Sequence, residues 1–246
     1  MQETFISHLV ELRTRLVRAS VVVIAVFVVL FTVWPGSSMV YDWLAQPMMH
    51  ALPVGSKMIA TGVITPFMIP MKVTMMLAVM ISLPWVLYQV WAFVAPGLYA
   101  HEKRLIAPLV ISSSALFLLG VAFCYFFVFG TVFKFINEFA PKSISVAPDI
   151  ENYFDFVLTM CLAFGLTFEV PVVVVVLVRM GLVTVEKLKS IRPYVIVGAF
   201  VIAAVVTPPD IMSQLFLALP LCVLYEVGLL VAPLFVKATQ APEEPA

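Results

Sequence analysis

One acidic residue lies in the middle of a long apolar run. Glu169 falls inside LAFGLTFEVPVVVVVLV, residues 162–178, far from both ends of the run. Burying an acid at this depth costs about 3 kcal/mol or more, so it indicates a functional site, unless a neighbouring helix supplies a structural hydrogen bond. Pro171 frees a carbonyl one turn earlier and kinks the helix, which would open a polar concavity beside Glu169. Tyr125 and Gln214 are candidate neighbours of the carboxylate.

Two further acids lie in basic sequence motifs. Glu11 is part of SHLVELRTRL, and Glu102 is part of GLYAHEKR. Glu11 is spaced to form an i,i+4 ion pair with Arg15, a contact worth a few tenths of a kcal/mol. Glu102 lies in a polar loop sequence, where a charged side chain is ordinarily in contact with water. Residue types alone therefore favour ordinary surface charges at both positions.

The sequence contains no recognisable catalytic or metal-binding motif. Glu169 has no second acid at a similar depth, and neither HExxH nor GxSxG occurs, so an intramembrane hydrolase is not supported. Cys124, Cys161 and Cys222 lie in apolar runs without CxxC or histidine spacing, which is typical of small buried hydrophobic residues. We expect no enzymatic activity, no cofactor and no metal.

Composition places the chain in a membrane. Hydrophobic residues make up 63% of the 246 residues, charged residues only 11%, and the mean hydropathy is +1.11. Soluble domains do not reach these values. The 14 basic and 14 acidic residues leave no net charge, so nucleic acid is not an expected partner.

Long apolar runs predict six membrane spans. They cover about 17–34, 68–92, 105–133, 154–178, 194–207 and 211–232. Ten of the 14 basic residues then fall on one side, namely Arg13, Arg15, Arg18, Lys103, Arg104, Arg179, Lys187, Lys189, Arg192 and Lys237. That side is the cytoplasm by the positive-inside rule, which places both termini there. We expect an all-α polytopic membrane protein, with one six-helix transmembrane domain over 1–237 and a disordered cytoplasmic tail over 238–246.

Three segments carry more specific expectations. The fifth run is too short for an unperturbed bilayer, since about 14 residues reach only some 21 Å against a hydrocarbon core of about 30 Å. At the N-terminus, FISHLVELRTRL predicts an amphipathic helix that lies in the membrane interface before the chain turns inward. The segment 35–67 is rich in Pro, Gly and Ser and carries no helix prediction.

Four motifs in order resemble one known family. They are SHLVELRTRL, FVAPGLYAHEKR, FGLTFEVPVV and RPYVIVGAFVIAAVVTPPDIMSQ. The chain resembles the TatC family of the twin-arginine protein translocase over roughly residues 5–235. The resemblance implies six helices, short fifth and sixth helices, and a concave intramembrane face. It also implies a receptor and scaffold in the bacterial cytoplasmic membrane.

The resemblance assigns roles to individual residues. Signal-peptide binding is implied for Glu11, Arg13, Phe93 and Glu102. Docking of a partner transmembrane helix is implied for Glu169, Thr207 and Gln214. Supporting structural roles are expected for Pro47, Tyr125, Pro171 and Asp210. A carboxylate in a basic setting suits this function, because a guanidinium fork binds it in a bidentate geometry that lysine cannot match.

The implied partners are the TatA and TatB proteins, twin-arginine signal peptides of folded cargo, and membrane lipids. Assembly as an oligomer with TatB and use of the proton-motive force are also implied. The alternative is a proton-coupled secondary transporter, which would also use a midplane carboxylate but predicts paired broken helices in two related halves. A purely structural membrane subunit would explain the kinks but not the acids in basic motifs.

Overall fold

The computed structural model describes residues 2–33, 36–51, 58–94, 106–139, 148–207 and 210–235. These residues are almost entirely helical, and they contain no strand beyond one isolated bridge between Ile59 and Asp149. The helices are α1 (Gln2–Thr32), α2 (Ser37–Ala51), α3 (Thr65–Val94), α4 (Ile106–Phe123), α5 (Phe129–Phe139), α6 (Ile150–Phe168), α7 (Val170–Arg179), α8 (Val185–Ser190), α9 (Arg192–Val206) and α10 (Ile211–Phe235). One π-helical turn, Cys124–Val128, joins α4 to α5.

Six spans follow from these helices, as predicted. Five stretches are long and apolar enough to cross a membrane: His8–Thr32, Thr65–Val94, Ala107–Ile136, Ile150–Arg179 and Ile211–Leu234. The sixth, α9, has 15 residues and reaches about 22 Å. Its shortness is confirmed. The expectation of a short final helix is wrong, because α10 runs for 25 residues through Pro220 and Pro233.

The N-terminal segment differs from the expectation. Instead of an interfacial helix followed by a turn, Gln2–Thr32 forms one continuous helix. The physical reason is that this segment contains neither Gly nor Pro, so nothing in it breaks the helical hydrogen bonds. α1 packs mainly along α3.

The segment between the first two spans contains a helix that the sequence analysis did not predict. α2 follows Gly36, which has a φ of +83°, and carries Pro47 in its interior. The buried Val40 and Ala45 of α2 belong to the main core. Gly36 therefore precedes a packed helix that contains both Ser37 and Pro47.

Two glycines let α4 and α6 approach closely. A Cβ atom on Gly120 would lie 2.5 Å from the carbonyl oxygen of Phe164, and one on Gly165 would lie 2.5 Å from the ring of Phe117. The two contacts are reciprocal, with each helix receiving an aromatic residue of the other. This packing places the first part of α4 beside the end of α6, where Glu169 lies.

Polar contacts join the start of α3 to the start of α6. Lys72 Nζ lies 2.7 Å from Asp155 Oδ1, and the Thr65 hydroxyl donates to Glu151 Oε2 at 2.9 Å. Asp149 caps α6 and accepts hydrogen bonds from the backbone N–H and hydroxyl of Thr61. Desolvation would raise the pKa of Asp149, but the hydrogen bonds outweigh it, and the pKa lies below its ordinary value.

Candidate functional site

The expected signal-peptide surface lies where the first part of α1 meets the end of α3. The rings of His8 and Phe93 stack with their centroids 4.4 Å apart. Farther along, Trp85 Nε1 donates to the carbonyl of Arg18 at 3.3 Å. Glu11 follows His8 by one helical turn, so these contacts bring Glu11 and Phe93 to the same end of the α1–α3 pair.

Glu11 forms an ion pair with the guanidinium group of Arg15. Arg15 approaches Oε1 of Glu11 with Nη2 at 2.6 Å and Nε at 2.8 Å. The i,i+4 pair expected from the sequence is therefore present. Arg13 is exposed on the same helix, and Glu102 lies outside the described residues.

Glu169 occupies the break between α6 and α7. Its backbone N–H donates to the carbonyl of Leu166 at 3.1 Å, and Pro171 occupies the first turn of α7, where a missing N–H is tolerated. Its side chain is only 7% exposed. Neither carboxylate oxygen has a hydrogen-bond partner of good geometry among the described residues, although the Ser113 hydroxyl faces the group.

The two expected neighbours of Glu169 have other partners. The Tyr125 hydroxyl donates to the Trp43 carbonyl at 2.7 Å, and Gln214 Nε2 donates to the Phe200 carbonyl at 3.3 Å. Tyr125 therefore binds α2, and Gln214 joins α10 to α9. Ser113 is the polar residue that the structure places at the acid instead.

Thr207, Asp210 and Gln214 lie together around the turn from α9 to α10. The buried Thr207 hydroxyl donates to the Ala203 carbonyl at 2.8 Å at the end of α9. Asp210 Oδ1 accepts from the backbone N–H of Ser213 at 2.7 Å and so caps the start of α10. The structure thus brings these three residues together at the α9–α10 turn.

A buried polar contact that the sequence analysis missed lies next to Glu169. Trp91 Nε1 donates to the hydroxyl oxygen of Ser113 at 3.0 Å, and both side chains are buried. The signal available in the sequence was the run of three serines at 112–114 in an apolar span. Nothing in the sequence pairs this run with Trp91.

Among the described residues, no group of three or more His, Cys, Asp or Glu side chains is arranged to hold a metal ion. Cys124 and Cys161 are buried in the main core, and Cys222 is half-buried.

Comparison with known proteins gives one consistent family. A family model described as Sec-independent protein translocase protein (TatC) matches residues 7–220. The chain is 50% identical over 237 residues to a TatC protein of Halothiobacillus neapolitanus, covering 96% of this chain but 64% of that relative. It is 49% identical over 230 residues to TatC of Haemophilus influenzae, covering 94% and 89% of the two chains.

A solved structure is also similar. A crystal structure of a twin arginine translocase receptor, TatC, superposes with a TM-score of 0.81 at 36% identity, covering 93% of this chain and 99% of that one. The chain thus spans about two thirds of the length of the Halothiobacillus neapolitanus relative, but nearly all of the solved TatC chain. The chain therefore belongs to the TatC family, whose members are multi-pass membrane subunits of a protein translocase and not enzymes.

Proposed function

We propose that this protein is the receptor subunit that binds twin-arginine signal peptides at the cytoplasmic ends of α1 and α3. The observation that carries the proposal is the Arg15 guanidinium seated on the Glu11 carboxylate beside the stacked His8 and Phe93 rings. Both donating nitrogens of Arg15 approach Oε1 of Glu11, and this contact supports a guanidinium-binding role for the carboxylate. Arg13 and Glu102 complete the proposed site.

The proposed orientation has both termini in the cytoplasm of a bacterium and the spans in its inner membrane. It is supported by the basic residues of α8 and its flanks, Arg179, Lys187, Lys189 and Arg192, which follow the fourth span on one side. Residues 1–237 form one transmembrane domain in this proposal, and 238–246 form a cytoplasmic tail. Anionic lipid headgroups are proposed partners of the basic loops.

A second proposed role is docking of TatA and TatB transmembrane helices. Glu169 offers a buried carboxylate without a hydrogen-bond partner of good geometry among the described residues, and Thr207 and Gln214 offer polar groups at the short α9. The concave face, oligomeric assembly with TatB and export driven by the proton-motive force belong to the same proposal. Pro47, Tyr125, Pro171 and Asp210 support these surfaces through the helix breaks and hydrogen bonds described above.

Photocrosslinking tests the receptor proposal. A photoreactive residue at position 102, which leaves the Glu11 carboxylate in place, or at position 11, which leaves Glu102, should crosslink in membranes to an Arg-Arg signal peptide much more strongly than to a Lys-Lys version. The reason is that only arginine binds the remaining carboxylate in a bidentate geometry. Crosslinking to neither peptide, while other loop positions do crosslink, would misplace the site. No crosslinking from any position would favour the proton-coupled transporter.

Glu226 provides a matched control for the acids. Its carboxylate pairs with Arg192 at 2.6 Å, so Glu226→Ala also removes a charged partner of an arginine. Glu102→Ala and Glu11→Ala should weaken binding of the Arg-Arg peptide by about tenfold, the loss of one charge-assisted pair. Glu226→Ala should leave peptide binding unchanged. Equal losses from all three substitutions contradict the assignment.

A further inference from the structure

Glu169 is the one acid in the described spans whose carboxylate is buried without a hydrogen bond of good geometry. A buried carboxylate in this state is costly, because the protein interior replaces its hydration poorly. Its exact placement then depends on the few polar groups around it. Ser113 on α4 is the polar side chain that faces it.

The chemistry of the Trp91 contact determines where the Ser113 hydrogen points. An indole N–H can only donate, so the 3.0 Å contact from Trp91 Nε1 occupies a lone pair of the Ser113 oxygen. The Ser113 hydrogen must therefore point elsewhere. The carboxylate of Glu169 is the acceptor that the hydroxyl faces.

Trp91 is fixed by packing on the helix that follows the acid. Its buried ring belongs to a cluster with Val172 and Val176 of α7. A single side chain from α3 thus contacts α4 through Ser113 and α7 through these valines. Movement of α7 relative to α4 would disturb both the Trp91 packing and the geometry at Glu169.

We propose that Trp91 and Ser113 are positioning residues that present Glu169 to the docking partner. Trp91 orients the Ser113 hydroxyl, Ser113 donates to one carboxylate oxygen, and the second oxygen is left for a hydrogen-bond donor of a partner transmembrane helix. This inference rests on the docking role proposed above for Glu169. Neither residue needs to touch the partner.

The first test measures the infrared absorption of the Glu169 carboxyl group in the purified protein. Infrared spectra of protein with isotope-labelled glutamate are recorded, and the Glu169 carboxyl band is assigned by its loss in Glu169→Gln. Ser113→Ala and Trp91→Phe should shift this band, whereas Ser113→Thr should keep it near its original position. Ser114→Ala is the matched control, because Ser114 is adjacent and buried and its hydroxyl has no partner among the described residues. An unchanged band in Ser113→Ala overturns the inference.

The second test measures recruitment of a TatA-type helix by site-specific crosslinking in membranes. Ser113→Ala and Trp91→Phe should each reduce crosslinking about three- to tenfold, the value of one buried hydrogen bond. Ser113→Thr should restore it, Ser114→Ala should have no effect, and Arg-Arg peptide binding should be unchanged. In a Glu169→Gln background, Ser113→Ala should cause no further loss.

The outcomes separate the two proposals. A further loss from Ser113→Ala in the Glu169→Gln background assigns Ser113 a general structural role and overturns the inference. Normal recruitment by Glu169→Gln itself contradicts the docking proposal. In that case the infrared spectra still decide whether Trp91 and Ser113 position the acid.

Discussion

Pro47 and Tyr125 act on the same carbonyl group. In a helix, the N–H of residue 47 would bond to the carbonyl of Trp43, four residues earlier, but proline has no N–H. The Tyr125 hydroxyl supplies the missing donor at 2.7 Å. The two residues, which the sequence could only mark as separate supporting positions, therefore form one structural unit that attaches α2 to the third span.

A double-mutant cycle tests this pairing. Tyr125→Phe should lower the free energy of unfolding by about 1 kcal/mol, because the Trp43 carbonyl loses its donor. In a Pro47→Ala background, the new N–H of residue 47 can serve that carbonyl, so the same substitution should cost much less. Unfolding in detergent gives the four free energies.

Tyr153 provides the control for the cycle. Its hydroxyl donates to the carbonyl of Leu44 at 2.9 Å, which is the helical partner of residue 48 and not of residue 47. The cost of Tyr153→Phe should therefore be the same in the wild-type and Pro47→Ala backgrounds. An equal cost of Tyr125→Phe in both backgrounds would disprove the shared carbonyl.

Asp149 gives the protein a defined pH response. Its pKa in the folded protein lies below the ordinary value of 3.8, so the carboxylate stabilises the fold above that pH. This contribution is lost as the pH falls through the lowered pKa. The difference in melting temperature between wild type and Asp149→Asn should be largest near neutral pH and should shrink on acidification. A difference that grows as the pH falls would contradict the sign of the shift.

Helices differed in how far the sequence could predict them. The spans follow from apolar length alone, because lipid requires it. α2 was missed because Pro, Gly and Ser favour turns, and its helix depends on packing against the core. The π-helical turn at Cys124–Val128 has the same apolar residues as the helix around it. The Trp91–Ser113 contact joins residues 22 positions apart, which no local pattern encodes.

The close packing of α4 on α6 leads to a prediction at the scale of these elements. Gly120→Ala should lower the free energy of unfolding by about 1–3 kcal/mol, because the added Cβ meets the backbone oxygen of Phe164, which cannot move aside alone. Gly165→Ala should act similarly through the Phe117 ring. Thermal unfolding in detergent provides the comparison.

Gly130 is the matched control in the same span. A Cβ at this position meets nothing within 4 Å, so Gly130→Ala should be neutral or slightly stabilising through helix propensity. If Gly130→Ala were as harmful as Gly120→Ala, the cost would come from loss of backbone flexibility and not from helix approach.

The whole molecule has spans of unequal length. Along the fourth span, Arg179 lies 24 positions after Asp155 (179 minus 155), or about 36 Å, which suffices for a hydrocarbon core of about 30 Å. The Arg192–Glu226 ion pair fixes the start of α9 at the level of Glu226 on α10. Glu226 lies nine residues before Phe235 (235 minus 226), or about 13 Å along the helix. The shortness of α9 is therefore located at its α8 end.

α8 also lies at the level of Glu226 on α10. The Tyr225 hydroxyl donates to the Leu188 carbonyl at 2.9 Å, so this helix, with its lysines, packs beside α10 well before α10 ends. Charged groups at this depth require water or lipid headgroups. Local thinning of the bilayer at the α8–α9 end is one of the accommodations of a short span, and it would bring these groups to the water.

Spin labels on two exposed positions test this thinning. A label at Tyr194→Cys, near the start of α9, should contact a water-soluble nickel chelate more than a label at Leu230→Cys, although Leu230 lies nearer the end of α10. A label at Val201→Cys, an exposed position in the middle of α9, should respond mainly to oxygen. It serves as the control for a site deep in the hydrocarbon core. In a flat bilayer the order would reverse, because Tyr194 would then lie deeper than Leu230. That result would mean that α9 is accommodated by protein contacts and not by the lipid.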